Sequence, residues 1–231
     1  PLSKLIITGG VRYDNIKLNY DNAIDNSTGS KTFDKTTFKL GANYNPNSFC
    51  VLYGNYSQGF APPGVSSIFT PKSGTGGSPG NPAEFYYNLK PATFENFEIG
   101  GWINILKNKL LIDYSLYYME GKNEQLSVLL SNGKTDIQSA GETLHKGIEF
   151  GLTYKPSEQI NFRLGGTTAQ HIYQYFKAQE KIKINNVNTT VEYNLSGFEM
   201  PSAPKWSGNS ELSYYPKWLP NFRTSLECQY V

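Results

Sequence analysis

Long hydrophobic runs are missing from this sequence. No apolar stretch approaches the roughly 18 residues that a membrane-crossing helix needs, so a helical membrane protein is excluded. Charge is scarce as well: Asp, Glu, Lys and Arg make up 17% of the chain, against roughly 25% in an average soluble domain. The net charge is only +2 and no Lys/Arg cluster or single-sign face occurs, which leaves nothing to hold nucleic acid. Cysteine and histidine number two each. Cys50 and Cys228 form neither a CxxC pair nor a metal-ligand spacing, which argues against a disulfide scaffold or a zinc centre and leaves both as small strand residues. His145 and His171 are far apart in sequence and read as solvated residues at loop edges. No cofactor is expected, and no catalytic constellation stands out. What the 231 residues do contain is neutral polarity together with 17 Tyr, 13 Phe and 3 Trp, too many rings for a disordered chain.

The aromatic and aliphatic residues alternate with polar ones at a period of two, the mark of strands with one apolar and one polar face. Ile148, Phe150, Leu152 and Tyr154 alternate with Glu149, Gly151 and Thr153. Phe222, Thr224, Leu226, Cys228 and Tyr230 alternate with Arg223, Ser225, Glu227 and Gln229. Leu110 to Tyr118, Phe97 to Ile105, and Val11 and Tyr13 with Arg12 and Asp14 repeat the pattern. About nine strands of some ten residues are expected, the length that crosses a bilayer when tilted.

The connections alternate between short and long. Asn45–Ser48, Lys107–Lys109, Lys155–Gln159 and Pro216–Pro220 are tight. Asn15–Lys35, Gly59–Thr93, Glu120–His145 and His171–Lys205 are long. In an up-and-down meander alternate connections fall at the same end, giving one rim of turns and one rim of large loops. Outer-membrane β-barrels are built this way, whereas structureless loops of twenty residues are uncommon in compact soluble domains. Tyr44, Tyr154, Tyr215 and Trp218 cluster at the short turns beside prolines, where rings can sit half in lipid and half in water. An all-β, antiparallel up-and-down transmembrane barrel is the fold class this implies. An odd strand count cannot close a bacterial barrel, so residues 1–231 are expected to be one piece of a larger one. A passive porin or adhesin barrel and a soluble β-sandwich that binds carbohydrate share parts of the pattern. An outer-membrane enzyme fits less well, because no Ser-His pair lies close in sequence.

Four motifs in fixed order narrow the choice. Tyr53–Phe60 reads YGNYSQGF and runs into Pro62-Pro63. Leu89-Lys90-Pro91 leads to Asn96-Phe97-Glu98-Ile99-Gly100. Ser139-Ala140-Gly141 precedes Gly147-Ile148-Glu149, and Met200-Pro201 precedes Pro204. The set resembles the barrel of TonB-dependent outer-membrane receptors, with Ala92 and Ser139 departing from the usual Glu and Asn. The resemblance implies the middle-to-late strands of a 22-stranded barrel without its plug, located in the outer membrane. It also implies import of a ferric siderophore or similar scarce ligand, with the TonB complex acting through the missing plug.

Within that frame Arg12, Glu98 and Glu149 fall on the polar face and would point into the lumen, since charge on the lipid face costs about 2–4 kcal/mol at the midplane. Gly100, Gly141 and Gly147 would permit bends or close backbone approach. The Gly74–Gly80 segment has no following Lys-Ser/Thr, so it reads as a flexible loop tip rather than a phosphate loop. The long loops carry Phe60, Phe69, Phe85, Tyr86 and Tyr87 in one group and Tyr173, Tyr175 and Phe176 in another. Two accounts fit these rings: packing among the loops, or stacking on a ligand.

Overall fold

A computed structural model describes residues 4–71, 75–85, 89–131, 135–139, 141–184, 187–201 and 203–231. In chain order the elements are β1 (Leu5–Asn22), β2 (Ser27–Asn47), β3 (Cys50–Ala61), the one-turn helix α1 (Val65–Ile68), β4 (Ala92–Ile105), β5 (Leu110–Lys122), β6 (Gln125–Leu129), β7 (Thr135–Ser139), β8 (Glu142–Ser157), β9 (Ile160–Tyr175), β10 (Lys177–Ile184), β11 (Val187–Asn194), β12 (Trp206–Tyr214) and β13 (Thr224–Tyr230). Nine of these strands form one sheet in the order β1-β2-β3-β4-β5-β8-β9-β12-β13, and every pairing in it is antiparallel. The expected count and meander are therefore observed.

The strands are longer than expected. β1 has 18 residues and β2 has 21, paired from Leu5↔Tyr44 to Asn22↔Ser27. The segment 15–35, expected to be a loop, is thus mostly ladder. Its outer half carries polar side chains on both faces, so it lacks the apolar contrast that marks a strand in sequence. The other long connections also contain strands, because β6-β7 and β10-β11 form separate two-stranded hairpins. Three of the four tight connections are as expected, since two residues join β2 to β3 and β8 to β9, and four join β4 to β5; the fourth is longer than the expected Pro216–Pro220, with nine residues, 215–223, between β12 and β13.

Cross-strand register settles the faces. Tyr53 pairs with Gly100, Gly100 with Ser115, and Ser115 with Glu149. Glu98, two residues from Gly100, shares that face, as does Arg12 through its pairing with Thr37. The opposite face is apolar and open: Ile99 is 61% exposed and Leu226 73%, with Phe97, Leu116, Ile148, Phe150 and Leu212 also exposed. A water-soluble sheet would cover such a continuous apolar face. Buried side chains gather instead in two satellite clusters at the long-loop end. Phe33, Ile68, Phe69 and Phe85 form one, and Tyr173, Phe176 and Ala178 form the other.

Candidate functional site

The middle of the polar face is built on a tyrosine lying opposite a glycine. Tyr53 faces Gly100 and Tyr117 faces Gly147 across neighbouring strands. A Cβ on Gly100 would come within 2.6 Å of the Tyr53 hydroxyl, and one on Gly147 within 2.7 Å of the Tyr117 hydroxyl. The glycines therefore serve close approach, as expected for both, and each ring lies over a strand that offers no side chain. Tyr53 donates to Glu98 Oε1 at 2.6 Å, while the Ser115 hydroxyl reaches Glu149 Oε2 at 3.5 Å. Asp113 lies on the same face opposite Gly151. Among the described residues no Lys or Arg comes within ion-pair distance of Glu98, Asp113 or Glu149. Arg12 is engaged locally, donating to Asp14 Oδ1 from Nε at 2.9 Å and Nη2 at 2.6 Å.

At the long-loop end the chain folds back over the sheet. Tyr20 stacks on Phe69 at 5.3 Å and meets Phe85 edge-on at 5.0 Å, with Leu18 and Phe60 packed alongside. Asp25, buried in the turn between β1 and β2, fastens the following loop. Its carboxylate accepts from the Ser27 amide at 2.9 Å, the Ser27 hydroxyl at 2.6 Å and the Gly77 amide at 2.8 Å. These donors hold its carboxyl below the usual carboxylate range, the Ser27 hydroxyl contributing most. Gly76 and Gly77 have φ of +77° and +87°, and a Cβ on Gly76 would meet Asp25 Oδ2 at 3.0 Å. This part of the glycine segment is a fastened turn, which corrects the expected flexible tip; Gly74 lies outside the described residues.

The second cluster joins the two hairpins to the sheet. Tyr173 and Phe176 lie 5.2 Å apart and pack against Leu126, Val128, Leu195 and Met200. Gln138 spans the hairpins, its side-chain carbonyl accepting from the Gln179 amide at 2.8 Å. Glu180 accepts from the Ser131 amide at 2.8 Å, and the bonds from Ser131, its hydroxyl first, hold the Glu180 carboxyl low.

Of the rings singled out from sequence, Phe69, Phe85, Tyr173 and Phe176 are buried, Phe60 is half-buried and Tyr175 is 53% exposed. Tyr86 and Tyr87 lie outside the described residues. Packing among the loops thus accounts for four of the eight.

The histidines are a correction. His145 is buried, and register sets it opposite His171. Their Nδ1 atoms are 2.7 Å apart. His145 Nε2 lies 3.1 Å from Glu124 Oε2, which also accepts from the Thr143 hydroxyl at 2.8 Å. Burial pulls the Glu124 carboxyl upward, but its bonds to His145 and Thr143 and the nearby imidazoles outweigh this and hold it low. A bulge at the base of the β8-β9 hairpin makes the pairing, as register counted from the turn alone puts Ile172, not His171, opposite His145.

Comparison with known proteins follows the same lines. A family model described as TonB dependent receptor-like, beta-barrel, matches residues 1–230. Among solved structures, the siderophore receptor PiuA from Acinetobacter baumannii has a TM-score of 0.68 at 19% identity, over 97% of this chain and 30% of its own. The copper transporter OprC has 0.67 at 17% identity, over 93% and 30%. The ferric yersiniabactin uptake receptor FyuA from Yersinia pestis has 0.61 at 16%, over 92% and 29%. The chain thus spans about 30% of the length of these structures, and identities this low speak to fold alone. No curated protein sequence matches it.

Proposed function

The chain belongs to the TonB-dependent receptor-like β-barrel family, and from that premise we propose that residues 1–231 are one part of the barrel of an outer-membrane receptor that imports a ferric siderophore or a similar scarce ligand, energised by the TonB complex. The observation that carries this reading is the two-faced meander. One face is apolar and open along its length, suited to hydrocarbon, and the other is lined by Tyr, Glu, Ser and Asp, suited to a hydrated lumen. Every second connection is enlarged into packed structure at one rim, which is where an incoming ligand would first be met.

In this reading Glu98 and Glu149, with Asp113 beside them, face the barrel interior and await partners from a plug domain, while Arg12 and its Asp14 partner stand higher on the same wall. Cargo contact falls to the rings that the loop clusters leave open, Tyr175 and part of Phe60, and on sequence grounds to Tyr86 and Tyr87. Phe69, Phe85, Tyr173 and Phe176 hold the rim in shape behind them.

The test uses the full-length receptor. Radioiron uptake is measured for a panel of ferric siderophores in iron-limited cells with the gene intact, deleted, or intact in a strain lacking TonB. The proposal expects one chelate whose accumulation falls to background in both the deletion and the TonB-deficient strain. Uptake that persists without TonB would assign a passive barrel instead.

A further inference from the structure

The node formed by Glu124, His145 and His171 is not absorbed by the barrel reading, and its chemistry is specific. Cross-strand neighbours on a polar face have no structural need to bring two imidazole nitrogens to 2.7 Å. Two neutral imidazoles make this contact only as an N–H···N bond, so one Nδ1 carries the proton and the other presents its lone pair. Glu124 decides which. Its carboxylate beside His145 Nε2 holds the proton on that nitrogen and leaves the lone pair on His145 Nδ1. A carboxylate behind the distal nitrogen is the arrangement that orients a metal-ligating histidine and raises its basicity. Thr143, fully buried, fixes the carboxylate in turn with a 2.8 Å bond.

We propose that His145 and His171 together bind a first-row transition ion of the Cu2+ or Zn2+ class through their Nδ1 atoms, with Glu124 positioning His145. Imidazole suits these ions. Two nitrogens on one such ion, each at about 2.0–2.1 Å, sit about 2.9 Å apart at a right angle and about 3.3 Å apart in a tetrahedron, so the pair, 2.7 Å apart, opens by about 0.2–0.6 Å while the rings turn until both lone pairs meet at the ion. On binding, His171 changes to its other neutral tautomer, giving its Nδ1 proton to solvent and taking one from solvent at Nε2, so the ion meets two neutral rings and no net proton is gained or lost. Among the described residues no three His, Cys, Asp or Glu side chains are placed to hold one metal ion together, and Glu124 stands behind His145, against its Nε2. The remaining positions are therefore left to water, which suits an exchangeable site better than a closed structural one.

The experiment takes the full-length receptor purified in detergent micelles and titrates it with Cu2+ and, separately, Zn2+ in a non-coordinating buffer. The wild type is expected to bind one ion at this node, with nitrogen hyperfine structure from two imidazoles in the Cu2+ paramagnetic resonance spectrum. His145→Gln and His171→Gln should each lose that signature, and Glu124→Gln should bind about 10–100-fold more weakly, the range for losing such a supporting carboxylate. Binding should also weaken as pH falls, because the ion competes with protons for the ring nitrogens. Heat-modifiable migration shows that each variant is folded; if a His→Gln variant is not, Glu124→Gln and the two-nitrogen signal of the wild type carry the test. A wild-type spectrum without imidazole nitrogen, or equal affinity in folded His→Gln variants, would overturn the proposal.

Discussion

Asp25 and Gly77 are separated by 52 positions in the chain, yet the Gly77 amide donates to Asp25 Oδ2 at 2.8 Å. This one carboxylate joins the turn between β1 and β2 to the glycine loop that follows α1, and it does so with both partners held in place: Ser27 braces the carboxylate, and the left-handed conformations of Gly76 and Gly77 aim the amide.

The latch has a calculable pH response. Its carboxyl titrates below the ordinary carboxylate value in the folded state, so the stabilisation is fully present above that ordinary value of about 3.9. It is lost only as pH falls through the lower folded value. Cleavage of the 75–85 segment by an added protease should stay constant from neutral pH to about pH 5, and then rise in stronger acid with pepsin as the probe. Asp25→Ala should give fast cleavage at neutral pH. A wild-type loop that opens near pH 6 would show that some other group holds it.

Face assignment predicts an asymmetry between adjacent residues. Leu152 pairs with Ile112 and Leu164 on the apolar face, while Thr153 pairs with Leu111 and Arg163 on the polar side. Leu152→Arg should cost assembly about 2–4 kcal/mol if it meets hydrocarbon at mid-depth, and Thr153→Arg much less. The measurement is the fraction of folded, heat-modifiable barrel in outer-membrane preparations. Equal loss from both would refute the assignment.

The tyrosine-over-glycine device predicts a position effect among glycines. Gly147→Ala sets a Cβ 2.5 Å from the Thr168 carbonyl oxygen and 2.7 Å from the Tyr117 hydroxyl, whereas a Cβ on Gly9 meets nothing within 4 Å. Overpacking of this kind costs about 1–3 kcal/mol. Chemical unfolding in micelles should show that loss for Gly147→Ala and almost none for Gly9→Ala.

The two groups of rim rings should separate by phenotype. Phe85→Ala removes a buried ring from the Tyr20–Phe69 cluster and should raise loop proteolysis. Tyr175→Ala should leave the rim intact and weaken cargo binding about fivefold, the worth of one ring contact at about 1 kcal/mol. Binding assays at matched surface abundance decide between them.

The orientation of the rims is also open to direct labelling. An epitope inserted after Gly80, which is exposed and where an added Cβ would meet nothing within 4 Å, should be stained on intact cells. One inserted after Glu158, in the tight β8-β9 turn, should be stained only after permeabilisation.

What the sequence made legible depended on contrast between faces. The Ile148–Tyr154 segment reads as a strand because hydrocarbon-compatible and polar side chains alternate. In contrast, Ser27–Lys35 pairs just as regularly but offers only Ser, Thr, Gly, Lys and Asp with a single buried ring, Phe33, so its strand is invisible to periodicity. The histidine node was hidden for a different reason. Counting outward from the two-residue turn sets His145 opposite Ile172; the bulge between Tyr154 and Ser157 shifts the pairing by one and brings His171 across instead. A one-residue slip reverses every face beyond it, and no local residue pattern announces this bulge. Packing among the loops was one of the two accounts open for Phe69 and Phe85, but their partners Leu18, Tyr20 and Phe33 were out of reach, since these depend on the height to which β1 and β2 rise beside them.

That height has a mechanical consequence. At about 3.3 Å per residue and a tilt near 40°, 21 residues climb roughly 50 Å, about twice the apolar band of such a barrel. The β1-β2 hairpin is therefore a parapet cross-braced by its own ladder, taller than such a band and tied at its top to the neighbouring loop by Asp25. In the proposed outer-membrane setting, a bulky molecule approaching this rim would meet the parapet first, while a small ligand would have room beneath its crest to reach the wall of tyrosines and carboxylates below.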